Sequence, residues 1–103
     1  MLASTLKHKV QLQEKVASQG PLGQTVIWKY VQDLYARVIP LDVRTVAQYQ
    51  QMNTTVSHKI LMRGTVVVNL GGHRILHRGT TYEPQESAQN YDGVTEVMVL
   101  KVN

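Results

Sequence analysis

The sequence contains no cysteine, which excludes a disulfide framework, a thiolate metal cluster and a cysteine nucleophile and leaves the redox compartment open. Long apolar runs are missing too. Residues 1–10 hold no stretch of the length a signal peptide needs, and nothing in the chain approaches a membrane span, so a soluble protein made in the cytoplasm is expected. Acids are few, seven against eleven Lys and Arg, and the resulting net charge of +4 is compatible with a polyanionic partner without demanding one. Aromatics are scarce and scattered (Trp28, Tyr30, Tyr35, Tyr49, Tyr82, Tyr91), unlike the close interleaving of single-strand nucleic-acid binders. Trp28 and Tyr30 are expected in the core.

Chemistry is sparse as well. Four histidines invite a metal, but imidazole sites need three or four converging ligands, and no such spacing is present. On the strand expected there, His73 and His77 stand about 13 Å apart. Serines and threonines lack a nucleophile elbow, and no two of the seven acids are placed as an acid and base pair. The Leu70-Gly71-Gly72 run lacks the lysine and hydroxyl residue of a phosphate loop. No catalytic residue, metal or cofactor is assigned, and an enzyme is not expected.

What remains is alternation. At 103 residues the chain suits one small domain, 1–103, with a single core. From Lys7 to Val16, His8, Val10, Leu12 and Val16 share one parity and Lys7, Lys9 and Lys15 the other, which is a half-buried strand with a basic outer face. Residues 17–25, with Gly20, Pro21 and Gly23, read as a loop or wide hairpin. Val26 to Ile39 is β-branched and aromatic, with Trp28, Tyr30, Leu34, Ala36 and Val38 on one parity and a bulge or bend expected at Gln32 and Asp33.

Past Pro40, Asp42 is a candidate N-cap for a short helix from Val43 to about Met52. Its apolar residues recur every third position, so the stripe slips around the helix. Thr54 to Arg63 alternates again, Thr65 to Val68 is β-prone, and Arg78-Gly79-Thr80 is a tight hairpin. Residues 84–93 read as a polar loop. In the last strand, 94–102, Val97 and Val99 oppose the parity assigned to Met98 and Leu100, leaving both faces partly apolar. The pattern predicts a mainly β fold, a small barrel or two-sheet sandwich of about six strands, with one short helix between the second and third.

In order and spacing these segments resemble the phage head-tail joining family, which includes head-closure, head-completion and stopper proteins. The resemblance runs over nearly the whole chain. It is carried by LKHKVQLQEKV at 6–16, VIWKYVQDLYARVIPL at 26–41, SHKILMR at 57–63, HRILHRGTTYEP at 73–84 and the closing apolar strand. GTVVVNLGG, between Arg63 and His73, departs from the family's usual Pro-Gly connection. The resemblance implies a homo-oligomeric ring of six or twelve copies in the virion neck. Such a ring extends the portal channel, retains packaged double-stranded DNA, and lies between portal or adaptor and tail terminator or tail proteins. Alternatives are an independent nucleic-acid-binding barrel and a tail-terminator or adaptor ring of the same neck.

On that reading Asp42, Arg44, Gln48, Gln51 and Asn53 form a candidate channel or gate segment, with the 84–93 loop as a second candidate gate. Lys7, Lys9 and Lys15 are candidate DNA-facing or rim residues, although a lysine row also serves as edge protection. The two-faced strand makes Val97, Val99 and Lys101 a candidate subunit interface.

Overall fold

A computed structural model describes residues 6–102, which form seven strands and one helix. The elements are β1 (His8–Gly20), β2 (Gly23–Pro40), α1 (Val43–Gln51), β3 (His58–Arg63), β4 (His73–His77), β5 (Thr80–Pro84), β6 (Gln89–Tyr91) and β7 (Val94–Lys101). All pairings are antiparallel. β3 pairs with both β2 and β7, so the sheet order β3-β2-β1-β4-β5-β7 closes on itself. The result is a six-stranded barrel, with β6 hung on the outer part of the β7 edge that β5 leaves free. Closure removes the exposed edges an open sheet of this size would carry.

Alternation fills the interior. Val10 and Leu12 from β1, Ala36 from β2, Ile60 and Met62 from β3, Ile75 from β4, Tyr82 from β5 and Val97 and Val99 from β7 pack together as one core. A second cluster lies outside the wall, where Leu6 covers Leu61 and Val94 beside Ile39. The β-prone run after Gly64 forms no strand. Val66 and Val68 still enter the core and Val67 points to solvent, but the backbone finds a side-chain partner in place of a ladder: the Val66 N–H donates to Thr95 Oγ1 at 2.9 Å. Thr95 in turn donates to the Gly64 carbonyl at 2.7 Å, so one buried hydroxyl satisfies both ends of the turn.

Of the two readings of 17–25, loop or wide hairpin, the hairpin is found, paired to its tip at the end of a long ribbon. β1 and β2 stay in register out to Gly20 opposite Gly23, leaving only Pro21 and Leu22 in the turn. β3 reaches β2 only from Ala36 to Pro40, and β4 reaches β1 only from Gln11 to Glu14. Beyond those points the two strands run on as a free ribbon, here termed the arm, which makes the molecule 49 Å long.

The expected bulge is present, one residue before Gln32. Leu12 faces Gln32 but Gln13 faces Tyr30, so Val31 is the extra residue. One inserted residue transfers every following side chain to the opposite face. That corrects the placement of Trp28 and Tyr30: they share a face with Gln13 and Lys15, outside the barrel, and Tyr30 is exposed.

Two turns follow their local chemistry. Arg78-Gly79 and Asp92-Gly93 are two-residue connections with positive φ at both positions (51° and 80°, 52° and 76°), the geometry whose twist matches antiparallel strands. The second turn builds β6 inside a segment whose polarity read as loop.

Candidate functional site

Two surfaces stand out from the barrel wall. The first is the outer face of β2, β1 and β4 at the root of the arm. There the Arg74 guanidinium lies 4.4 Å from the Trp28 ring centre, and its Nε donates to Gln13 Oε1 at 2.7 Å. Gln13 donates onward to Gln11 at 2.6 Å, and the Lys15 N–H reaches the Gly72 carbonyl at 2.8 Å. These contacts brace the arm as it leaves the barrel. Beside them is a groove lined by Lys15, Trp28, His73, Glu83 and Pro84.

The lysine row keeps the parity read from alternation: Lys9 and Lys15 are exposed on the outer face of β1, and Lys7 is exposed just before the strand. Lys9 stands 3.5 Å from Asp33 on β2. Arg37 and Arg74 join the row from neighbouring strands, and Trp28, Tyr30 and Tyr35 share the face, so aromatics do interleave with cations once the strands are paired. Alternation within one strand cannot reveal this, since the additions come from strands that join the row only across the sheet.

The second surface surrounds α1. The Asp42 carboxylate accepts from the Thr45 N–H at 2.8 Å, and the hydrogen bonds from Thr45 hold its pKa below the usual carboxylate value. Arg44, Gln48 and Gln51 are exposed, at spacings that place them on one side of the helix. Asn53 adopts φ 59°, the left-handed stop after a helix that asparagine tolerates, and its N–H caps the Gln50 carbonyl at 3.0 Å. Among the candidate gate residues, then, Asp42 and Asn53 are spent on ending the helix and the other three face solvent.

No residue of α1 is buried. Its contact with the barrel runs through Thr45, Val46 and Tyr49, all half-buried, with Tyr49 against a small cleft lined by Glu86, Ser87, Gln89, Glu96 and Met98. Burial, then the nearby Glu86 and Glu96 carboxylates, pushes the Tyr49 phenol up. Tyr91 on β6 is pushed up the same way, by burial and by Glu96 and Asp92. Glu96 also pairs with Lys59 at 3.4 Å.

The histidines serve the wall. His73 Nδ1 accepts the Asn69 N–H at 2.8 Å, closing the turn before β4. His58 meets Tyr82 edge-on at 5.2 Å and Ser57 Oγ at 2.8 Å, and burial followed by Lys101 pushes its pKa down. His8 and His77 lie 5.1 Å apart, with His77 pushed down by burial, then by His8 and Arg78. Among the described residues no three His, Asp or Glu gather closely enough to hold a metal.

The proposed interface strand needs correction. Val97 and Val99 are 1% and 0% exposed because they line the barrel interior, which leaves only Lys101 of that set at the surface. The opposite face of β7 is not open either: Glu96, Met98 and Leu100 are half-buried. Exposed apolar side chains gather on the arm, where Leu22 is 102% exposed and Val26, Ile27, Tyr30 and Val31 are exposed as well; Val43, Met52, Val67 and Leu70 are exposed singly elsewhere.

Comparison with known proteins identifies the pattern. A family model described as phage head completion protein matches residues 1–103. Among solved structures, the solution structure of protein SF1141 from Shigella flexneri 2a is similar in fold, with a TM-score of 0.79 at 14% identity over 98% of this chain and 96% of that one. No curated protein matches the sequence.

Proposed function

The chain belongs to the phage head completion protein family, and on that premise we propose that it is a structural ring subunit of the neck that closes the DNA-filled head and offers the tail a docking surface. Membership makes it a component of virion assembly that meets other head and tail proteins; the ring, its place below portal or adaptor, and DNA closure are the added content. The observation that carries the ring is the arm, a ribbon with several exposed apolar side chains that its own barrel leaves uncovered. An isolated two-stranded hairpin is marginal in water, so burial against another chain gives this one a reason to persist.

For the gate, α1 is the stronger of the two candidates. It buries no residue of its own and presents Arg44, Gln48 and Gln51 outward, so it can move without opening the core. The 84–93 segment is tied down by β6 and by the Gln85 N–H to the Met98 carbonyl at 2.8 Å. The test is DNA retention. Filled heads carrying a chain whose residues 43–51 are replaced by a short Gly/Ser linker should lose DNA to added nuclease, while heads with wild-type protein keep it. Full retention by the variant, with the protein present on the particle, overturns the gate.

The basic and aromatic outer face supports a second reading, an independent nucleic-acid-binding barrel. It requires duplex DNA binding by the isolated chain that weakens steeply with salt. Absence of binding at low salt removes that reading and leaves the ring standing.

A further inference from the structure

The charges are unevenly spread along the chain. From Lys15 to Tyr30 the arm carries Lys15 and Lys29 and no acid. From Glu83 to Glu96 the chain carries Glu83, Glu86, Asp92 and Glu96 and no Lys or Arg. Glu83 lines the groove beside Lys15 and Trp28 at the root of the arm, and Glu96 is paired with Lys59, but Glu86 and Asp92 flank β7, which is separated from β1 by two strands in either direction around the closed sheet.

The acidic wall is shaped to receive a side chain. Tyr49 and Met98 line its cleft with Glu86, Ser87, Gln89 and Glu96, and exposed Tyr91 stands on the neighbouring β6. One carboxylate oxygen of Glu86 is buried with no hydrogen-bond partner among the described residues. A buried carboxylate oxygen without a donor is costly, and an ammonium from outside would satisfy it. The arm supplies the complement: Leu22 at its tip, Val26 and Ile27 behind it, and Lys29 exposed on the same ribbon.

We propose that the arm of one copy docks on the acidic α1, β6 and β7 wall of the next, with Leu22 and its apolar neighbours against the Tyr49 and Tyr91 surface and a lysine of the arm at Glu86. This rests on the ring reading and names its contact. The two patches differ and lie on opposite walls, so each copy gives one arm and receives one. That is the head-to-tail contact from which rings close. Opposite charges order the copies in one direction, because two arms or two acidic walls repel.

The absence of native cysteine makes the test specific. Phage are prepared with Leu22→Cys and Ser87→Cys in the same chain, and filled, joined particles are oxidised and run on a denaturing gel. A ladder of covalent oligomers extending beyond the dimer is expected, because each copy bonds to two neighbours. Either single variant should stop at the dimer. Adding Lys29→Gln or Glu86→Gln to the double-cysteine chain should lower the yield beyond the dimer about fivefold.

Particles that hold many copies of the chain but give only monomer, or only the dimer that Leu22→Cys forms by itself, overturn the docking and leave the ring intact. The arm would then belong to DNA or to another neck protein. Particles with a single copy, or none, overturn the ring and the docking together.

Discussion

The barrel and the arm use the same alternating sequence to opposite ends. In the barrel every strand has a neighbour on both edges, and the side chains of one parity vanish into the core: Ile60, Met62, Ile75 and Val99 are all 0% exposed. In the arm the same two-residue period continues along β1 and β2, but there is no third strand and no opposite wall, and the apolar members stay in water. Alternation therefore establishes a strand and its two faces, while what covers a face is decided by elements distant in sequence. The barrel covers its own apolar face. The arm is built for something else.

The largest expected effect separates the two regions by stability. Met62→Ala removes a fully buried side chain from the closed core and should cost about 2–5 kcal/mol in denaturant unfolding. Ile27→Ala, on the half-exposed arm, should cost the isolated protein under about 1 kcal/mol. Comparable losses would mean that the arm folds back onto the barrel in solution, and the contrast would fail.

Next in size is the bulge that divides them. The extra Val31 is what puts Trp28 on the face of Lys15, beside Arg74. Arg74→Met removes the cation over Trp28 and the bond to Gln13. Since Trp28 is the sole tryptophan, its fluorescence and near-ultraviolet dichroism should change markedly. The lost cation contact and its neighbouring hydrogen bond together should cost about 1–3 kcal/mol. An unchanged tryptophan signal would show that Arg74 does not rest on the indole in solution.

The bulge also marks where the sequence stops being readable. The basic strand, the helix with its Asp42 cap and the Arg78-Gly79 turn were legible because each depends on local chemistry: parity, a side chain reaching three residues on, a positive φ. Gln32 and Asp33 mark a bulge but not which residue is extra, so parity carried across it left Trp28 and Tyr30 on the wrong face. Gly20 and Gly23 read as a loop or wide hairpin, and nothing local shows that pairing runs right up to Gly20 opposite Gly23. Val97 and Val99 read as an outer face because only closure of β3 on β7 decides which side of the last strand is inside. The Tyr49 cleft joins three segments from separate parts of the chain, and no local signal brings them together.

The third prediction is a pH dependence confined to the barrel. His58 and His77 both lie below their ordinary value of 6.5, burial being the first cause in each. The unfolded chain therefore binds protons more readily than the folded one as pH falls below about 6.5. Stability from these imidazoles is complete above that value and is lost as pH drops toward the lower folded-state pKa values. Urea unfolding between pH 7 and pH 5 should show this decline, and His58→Gln should flatten it. A slope unaltered by replacement of both histidines would assign the decline to other groups.

The smallest effect compares two ion pairs of like geometry. Lys9 and Asp33, at the root of the arm, stand 3.5 Å apart with side chains 66% and 40% exposed; Lys59 and Glu96, on the barrel wall, stand 3.4 Å apart at 30% and 19%. Water screens the first pair from both sides, and holding two long side chains together offsets what attraction remains. The second is partly shielded by strands already fixed in place, so less ordering is needed to form it. Double-mutant cycles with Lys→Met and acid→amide changes should give a coupling of about 0–0.5 kcal/mol for the first and about 0.5–1 kcal/mol for the second. Raising salt should erase the former and leave most of the latter. A stronger, salt-resistant coupling at Lys9 and Asp33 would reverse the order, and would require the root of the arm to be shielded from water in the free protein.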